Sequence, residues 1–205
     1  MFRRGLLVVL SGPSGVGKNT LLNLLLARMA GIRYSISATT RPPRKGEKDG
    51  VDYFFYEEKK FLAMADAGEL LEWANFCGHY YGTPRSYVED SIANGIDVIL
   101  DIDTQGAAQL RQKMPEGVFV FLMPPSWHAL EERIRGRGKD PEEAIVRRLT
   151  TAREEINHVA DYQYVILNDD LQRAVRELEA IVLAERCKVV RTDITGFLAG
   201  FFDKN

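Results

Sequence analysis

The chain has 205 residues, 45% of them hydrophobic and 27% charged, with a formal net charge of −2. That length suits one compact unit or a core with inserted subdomains, and the near-balanced charge gives no bulk attraction to nucleic acid or an anionic membrane. No segment reaches the length needed to span a bilayer, and Cys77 and Cys187 stand in no metal-ligand spacing, which points to spectator thiols in a reducing, cytoplasmic setting.

Residues 6–10 form an apolar run of buried-strand type. Arginines precede the run as in a secretory signal, but it opens straight into a glycine loop and so reads as core strand. The loop is Gly12, Pro13, Ser14, Gly15, Val16, Gly17, Lys18, Asn19 and Thr20, and an apolar helix is expected over 20–29. Gly12, Gly17 and Lys18 keep the spacing G-x-x-x-x-G-K-S/T, with Asn19 in the hydroxyl position. The glycines let backbone N–H groups converge on a phosphate. The helix points its positive end at the same place, and Lys18 adds a full charge near the β- and γ-phosphates. Strand before and helix after are the context that gives this motif its weight.

A short strand is expected over 34–38, then a basic Pro/Gly-rich loop over 41–52 and a strand over 53–56. A helix over 58–67 is closed by Gly68. Residues 70–76 and 79–82 read as a hairpin turning at Gly78. A helix covers 86–93, and buried-type strands cover 97–101 and 118–123. Ser126 caps a helix to about 135, which Gly136 and Gly138 break. A long charged helix runs from 141 to about 159, a strand covers 164–167, and an amphipathic helix covers 171–186. The alternation predicts an α/β fold with a parallel sheet and helices on its faces. Residues 35–96 interrupt it like an insertion. The tail, 187–205, contains GFLAGFF, which could dock on the core, pair subunits or stay disordered.

Arg41 and Arg44 frame two prolines that stiffen their loop. Two guanidinium groups so held can clamp one phosphate, with Ser37, Tyr53 and Tyr81 adding hydroxyl donors; a solvated basic turn is the plainer alternative. Glu72 stands in the apolar run LLEWA, either as the polar face of an alternating strand or as an acceptor for a ligand edge. Asp101 and Asp103 end a hydrophobic strand, where parallel sheets bind ligands. They close a turn there or orient magnesium through water. Arg133, Arg137 and Arg148 belong to a glycine-hinged segment able to close over a transferring phosphoryl group. The same residues also suit a salt-bridged surface helix.

Taken together, SGPSGVGK, SATTRPPRKGEKDGVDYFF, LLEWANFCGHYYGTP, ILDIDTQG, RIRGRG with RRL, and VILNDD resemble the guanylate kinases in family order. The resemblance implies a P-loop three-layer core (5–34, 97–126 and 160–186), an inserted GMP-binding subdomain (35–96) and a small helical lid (127–159), within a kinase domain over 5–186. It implies ATP and GMP as substrates in purine nucleotide metabolism, magnesium bound with ATP, and a monomer or homodimer. By position, Ser37, Arg41, Arg44, Tyr53 and Tyr81 would hold the GMP phosphate, and Glu72, Thr83 and Asp103 would read guanine. The loop 12–20 would bind ATP phosphates, and Asn168 would lie near adenine. Lys18, Arg41, Arg133, Arg137 and Arg148 would serve phosphoryl transfer. The chemistry agrees. Guanine offers N1–H and N2–H₂ to one carboxylate and O6 to a threonine hydroxyl, whereas adenine sets a lone pair against that carboxylate. Unpaired buried groups let a site reject an analogue by roughly 10⁴-fold. Asn19 removes the usual hydroxyl ligand for magnesium, leaving its amide oxygen, water, ATP and Asp101 as alternatives. A non-catalytic guanylate-kinase-like phosphopeptide-binding module, or a P-loop kinase with another acceptor such as a ribose bisphosphate, is the rival reading. The presence of Lys18, Arg41, Arg44, Glu72, Thr83 and Asp103 argues against both.

Overall fold

The computed structural model describes residues 3–76, 78–136 and 141–202. Five strands make a parallel sheet: β1 (Leu7–Ser11), β2 (Ile32–Tyr34), β7 (Asp97–Asp101), β8 (Val118–Met123) and β9 (Tyr164–Leu167). Their order is β2-β7-β1-β8-β9, so β1 lies at the centre, buried at every residue. Successive side chains of a strand point to opposite faces, and two cores follow. Val8 and Leu10 pack with Leu21 and Leu25 of α1 (Lys18–Arg28) and with Val175 and Leu178 of α7 (Leu171–Arg186). Leu7 and Val9 pack on the other side with Val88 and Ile92 of α3 (Arg85–Ala93) and with Ala107 and Leu110 of α4 (Thr104–Lys113). This is the three-layer α/β arrangement that the alternation predicts.

The second sheet comprises β3 (Ala38–Thr39), β4 (Phe54–Phe55), β5 (Leu70–Phe76) and β6 (His79–Pro84), in the order β4-β3-β6-β5. The hairpin β5–β6 forms as expected and turns at Gly78, with φ +80°. On this sheet, Phe61 of α2 (Glu58–Asp66) packs with Ala38 and Leu70. Gly68 follows α2 with φ +70°, a left-handed stop that suits glycine.

Two expectations need correction, and one helix was not foreseen. The strand expected over 34–38 is two strands in two sheets. Ser35 N–H bonds to Ile99 in the large sheet, whereas the Ser37 carbonyl accepts from Phe54 in the small one, so the chain changes sheets between them. Helix α4 was not legible in TQGAAQLRQK, where Gly106 and few apolar residues blunt the periodic signal. The charged helix α6 (Glu142–Ile156) stops short of 159, and a 3₁₀ turn, Val159–Asp161, follows. Helix α5 (Trp127–Arg135) starts as expected: the Ser126 hydroxyl accepts from Ala129 N–H at 3.1 Å.

The root of the tail docks on the core. Arg191 reaches Glu185 at 2.9 Å and its carbonyl accepts from Arg4 N–H at 3.1 Å. Beyond it, α8 (Ile194–Phe202) carries exposed Phe197, Leu198 and Phe201. Among the described residues no helix is long and apolar enough to cross a membrane.

The amino-terminal edge of the large sheet is tied by one carboxylate. Asp97 is fully buried and accepts from Arg3 at 2.7 Å, Arg186 at 2.7 Å and Leu6 N–H at 2.8 Å. Removing it strands a buried N–H and two guanidinium groups, which costs about 3 kcal/mol. Asp97→Ala should therefore lower the melting temperature by roughly 6–12 °C, at about 2–4 °C per kcal/mol for a chain of this size. Differential scanning calorimetry measures this directly.

Candidate active site

The loop from Gly12 to Gly17 joins β1 to α1 at the carboxyl ends of the parallel strands, where such sheets bind ligands. Gly12 has φ +150°, and a Cβ there would stand 2.3 Å from the Leu122 carbonyl oxygen, so no larger residue fits. Gly17 caps α1 in the left-handed region, and the first-turn N–H groups of α1 have no intrahelical partner. Lys18 Nζ donates to the Gly12 carbonyl at 2.6 Å and lies 3.9 Å from Asp101 Oδ1. Burial raises the Asp101 carboxyl above its ordinary range, and the Lys18 charge opposes that rise.

Two expected residues brace this loop from behind. Asn168 Nδ2 donates to the Val16 carbonyl at 2.7 Å. Arg133 donates to the same carbonyl at 3.3 Å and to the Asn168 carbonyl at 3.0 Å. From α6, Arg148 donates to Ser14 Oγ at 3.1 Å, and Glu155 Oε2 accepts from Ser14 N–H at 3.2 Å. Burial raises the Glu155 carboxyl, opposed by Lys18. Glu155 was not singled out from sequence; its spacing of seven from Arg148, two helical turns on one face, was the available signal. Arg137 lies outside the described residues.

Glu72 owes its position to a bulge. Pairing runs Leu70 with Pro84 but Trp73 with Gly82, so β5 carries one extra residue between them. Strict alternation would separate Leu71 from its neighbours. Instead Leu70, Leu71 and Glu72 are buried in succession. Thr83, fully buried, donates from Oγ1 to Glu72 Oε1 at 2.6 Å. Thr83 is not among the residues lining the adjoining cavity, whereas Glu72 and Gly82 are. Burial pushes the Glu72 carboxyl up to about 7; Asp103 adds to the rise, while Thr83 and Lys113 oppose it. Asp103 caps α4, accepting from Gly106 N–H at 2.7 Å.

Ser37, Tyr53, Glu72, Tyr81 and Asp103 line one cavity of about 400 Å³. Tyr34, Phe76 and Asp101 line it too. Tyr34 was not singled out from sequence, although the carboxyl end of β2 was a place to look. Burial raises its hydroxyl pKa, with Asp101 contributing. Arg41 and Arg44 are not among the residues that line this cavity, and Arg41 connects to it through Tyr53. The Arg41 guanidinium stacks on Tyr53 with its carbon 4.9 Å from the ring centre, and the Arg44 side chain is exposed.

Two smaller cavities share lining residues with the first or with each other. Lys18, Asn19, Thr20 and Asp101 line one of about 180 Å³ over the glycine loop, and Asp101 is shared with the 400 Å³ cavity. Arg133, Asn168, Gly17 and Thr20 line one of about 240 Å³, and Gly17 and Thr20 are shared with the middle one. A further cavity of about 320 Å³ lies at the opposite end of the sheet, against Gly5, Leu7 and Met114, away from the glycine loop. Among the described residues no group of three His, Cys, Asp or Glu side chains could hold a metal ion alone. Magnesium fits the middle cavity differently, since it characteristically uses one carboxylate plus substrate phosphates and water. Asp101 could supply that carboxylate, and Asn19 and Thr20 line the same space.

A model of the guanylate kinase family matches residues 4–185. A guanylate kinase of Desulfitobacterium hafniense is 52% identical over 187 residues, 91% of this chain and 94% of that protein. One of Halalkalibacterium halodurans is 54% identical over 185 residues, 90% of this chain and 91% of that protein. The crystal structure of guanylate kinase from Anaplasma phagocytophilum superposes with a TM-score of 0.75 at 36% identity, covering 99% of this chain and 98% of that one.

The buried Glu72 has a thermodynamic signature of its own. Its carboxyl is raised in the folded state, so its favourable contribution is complete below the unfolded value of 4.5 and is lost as pH rises through about 7. Over that window the wild type should lose about 3 kcal/mol from this group. Glu72→Gln should not lose it. Urea unfolding of both proteins between pH 4.5 and 8 measures the difference.

Proposed function

The chain belongs to the guanylate kinase family; it is an enzyme that carries the γ-phosphoryl group of ATP to GMP, and we propose how its residues divide that work. The observation that carries the proposal is a row of three cavities in which each neighbouring pair shares lining residues. Adenosine takes the one bounded by Arg133 and Asn168, the ATP phosphates take the one over the glycine loop, and GMP takes the one lined by Glu72 and Asp103. Asp101, shared by the last two, marks where the phosphates of the two nucleotides meet.

Glu72 accepts N1–H and N2–H₂ of guanine, and Asp103 adds an acceptor beside it. Thr83 acts through Glu72, which its hydroxyl orients. Ser37, Tyr53 and Tyr81 turn hydroxyl donors to the acceptor phosphate, with Arg41 and Arg44 supplying charge. On the donor side, loop N–H groups from Gly12 to Thr20 and Lys18 cradle the phosphates. Arg133 and Asn168 keep that loop in shape as well as bounding the adenine cavity. Arg148 and Arg137 neutralise charge on the transferring group. Glu155 holds a loop N–H that a phosphate oxygen also needs, so nucleotide binding displaces it. Magnesium bound with ATP would be held by Asp101 and water, with Asn19 alongside, and would supply further neutralisation of phosphate charge.

Transfer is then direct and in line, with no phosphoenzyme. The protein's part is to align two polyanions and offset their repulsion. Residues 5–186 form the kinase domain, with core, GMP-binding insertion (35–96) and lid (127–159), acting in the cytoplasm in purine nucleotide metabolism and GMP recycling.

A coupled assay of ADP release with ATP and magnesium, run in parallel with GMP, AMP, UMP and CMP, tests this reading. GMP should be the preferred acceptor by several orders of magnitude. Lys18→Ala should abolish turnover while its circular dichroism spectrum matches that of the wild type, because Lys18 serves phosphates and not the core. A folded, fully active Lys18→Ala protein would sink the kinase assignment.

A further inference from the structure

The loop carrying the two arginines contains a carboxylate that neither the sequence reading nor the proposed mechanism uses. Glu47 binds Arg41 through both its oxygens: Oε1 accepts from Nη2 at 2.6 Å and Oε2 from Nη1 at 2.7 Å. Oε2 also accepts from the backbone N–H of Arg44 at 2.7 Å. One carboxylate thus ties the Arg41 side chain to the Arg44 main chain. Those bonds hold the Glu47 carboxyl well below the ordinary range, at about 2, with the Arg41 side chain the largest cause. Arg41 is otherwise fixed by its second Nη1 contact, to the Pro42 carbonyl at 3.1 Å, and by stacking on Tyr53 and Phe55. It is 8% exposed.

A planar guanidinium carries five N–H donors on two kinds of edge. The end-on edge uses one hydrogen from each Nη, and this is the edge Glu47 occupies. The side-on edge, Nε–H with the remaining Nη2 hydrogen, stays available for a second bidentate anion. Arginine can therefore be gripped by one oxyanion and still present a paired donor to another, which lysine cannot do. Tyr53 places this edge in context, since its ring stacks on Arg41 while also lining the 400 Å³ cavity.

We propose that Glu47 is a positioning residue for the acceptor phosphate: by holding the end-on edge of Arg41 and the backbone of Arg44, it presents the side-on edge of Arg41 to the phosphate of GMP. The proposal rests on the reading of Arg41 and Arg44 as the acceptor-phosphate clamp. Glu47 removes one unit of positive charge from the neighbourhood, and what it gives in exchange is a fixed side chain. A flexible arginine would have to be ordered by each incoming phosphate, whereas this one is ordered in advance.

Isothermal titration calorimetry with GMP and with guanosine, on the full chain, separates the possibilities because the two ligands differ only in the phosphate. The wild type should bind GMP more tightly than guanosine. Glu47→Gln should weaken GMP binding about tenfold and leave guanosine unchanged. In an Arg41→Ala background the same Glu47 substitution should cost clearly less than in the wild type, because the side chain it positions is gone and only its hold on the Arg44 backbone remains; an undiminished cost there would overturn the proposal. Unchanged or tighter GMP binding by Glu47→Gln, with the wild-type preference for GMP intact, would overturn the role of Glu47 alone. Tighter binding would make the carboxylate a competitor of the phosphate. A parallel loss of guanosine binding would make Glu47 a fold residue and equally overturn it. Equal binding of GMP and guanosine by the wild type would overturn the clamp reading itself, and this proposal with it.

Discussion

The bond from Thr83 to Glu72 is the constraint around which the acceptor half of the molecule is arranged. A carboxylate 7% exposed is costly to ionise without partners, and Glu72 has one neutral donor at 2.6 Å and an acidic neighbour, Asp103. Its carboxyl is consequently poised near 7, unlike a solvated glutamate. A ligand edge with two adjacent N–H donors turns that cost into selectivity, since it supplies what the ionised group lacks. A ligand with an acceptor there leaves the group unpaired or forces it to stay protonated. The bulge in β5 makes this possible. Leu70 and Leu71 serve two different cores, and at the bulge Glu72, also buried, faces the cavity.

The donor half rests on a different constraint, backbone that only glycine can follow. Gly12 and Gly17 both have positive φ and both meet neighbours that a Cβ would strike, the Leu122 carbonyl at 2.3 Å and Asn168 Nδ2 at 2.8 Å. These contacts mould the loop against β8 and the end of β9, so its N–H groups are aimed before any phosphate arrives. Asp101, partly buried and 3.9 Å from Lys18, then joins this half to the other. The acceptor half sets carboxylates for a base beside donors for its phosphate, the donor half offers donors for phosphates, and the shared aspartate lines both cavities.

Much of this was legible in the sequence because it is written in local signals. The glycine spacing, the apolar strand before it, the Ser126 cap and the hairpin glycine Gly78 are each decided within a few residues. What escaped depended on contacts distant in sequence. Helix α4 is apolar at only a few positions and is fixed by packing on β5 and the large sheet, so its own periodicity is faint. The bulge that buries Glu72 is a property of pairing between two strands. Thr83 is 2.6 Å from Glu72, a contact between two strands that the sequence does not state. Glu47 and Glu155 look like ordinary members of charged runs, and only their partners, Arg41 and the Ser14 N–H, set them apart.

The central claim is that Glu72 recognises guanine through both N1–H and N2–H₂. The most direct test compares kcat/KM for GMP with that for IMP, which keeps N1–H and O6 but lacks the 2-amino group. The account expects the wild type to favour GMP by at least an order of magnitude, the scale of one lost hydrogen bond to a charged acceptor, and Glu72→Gln to erase most of that preference by lowering the GMP value. A wild type that phosphorylates IMP as efficiently as GMP, or a Glu72→Gln protein that keeps the full preference, would contradict it.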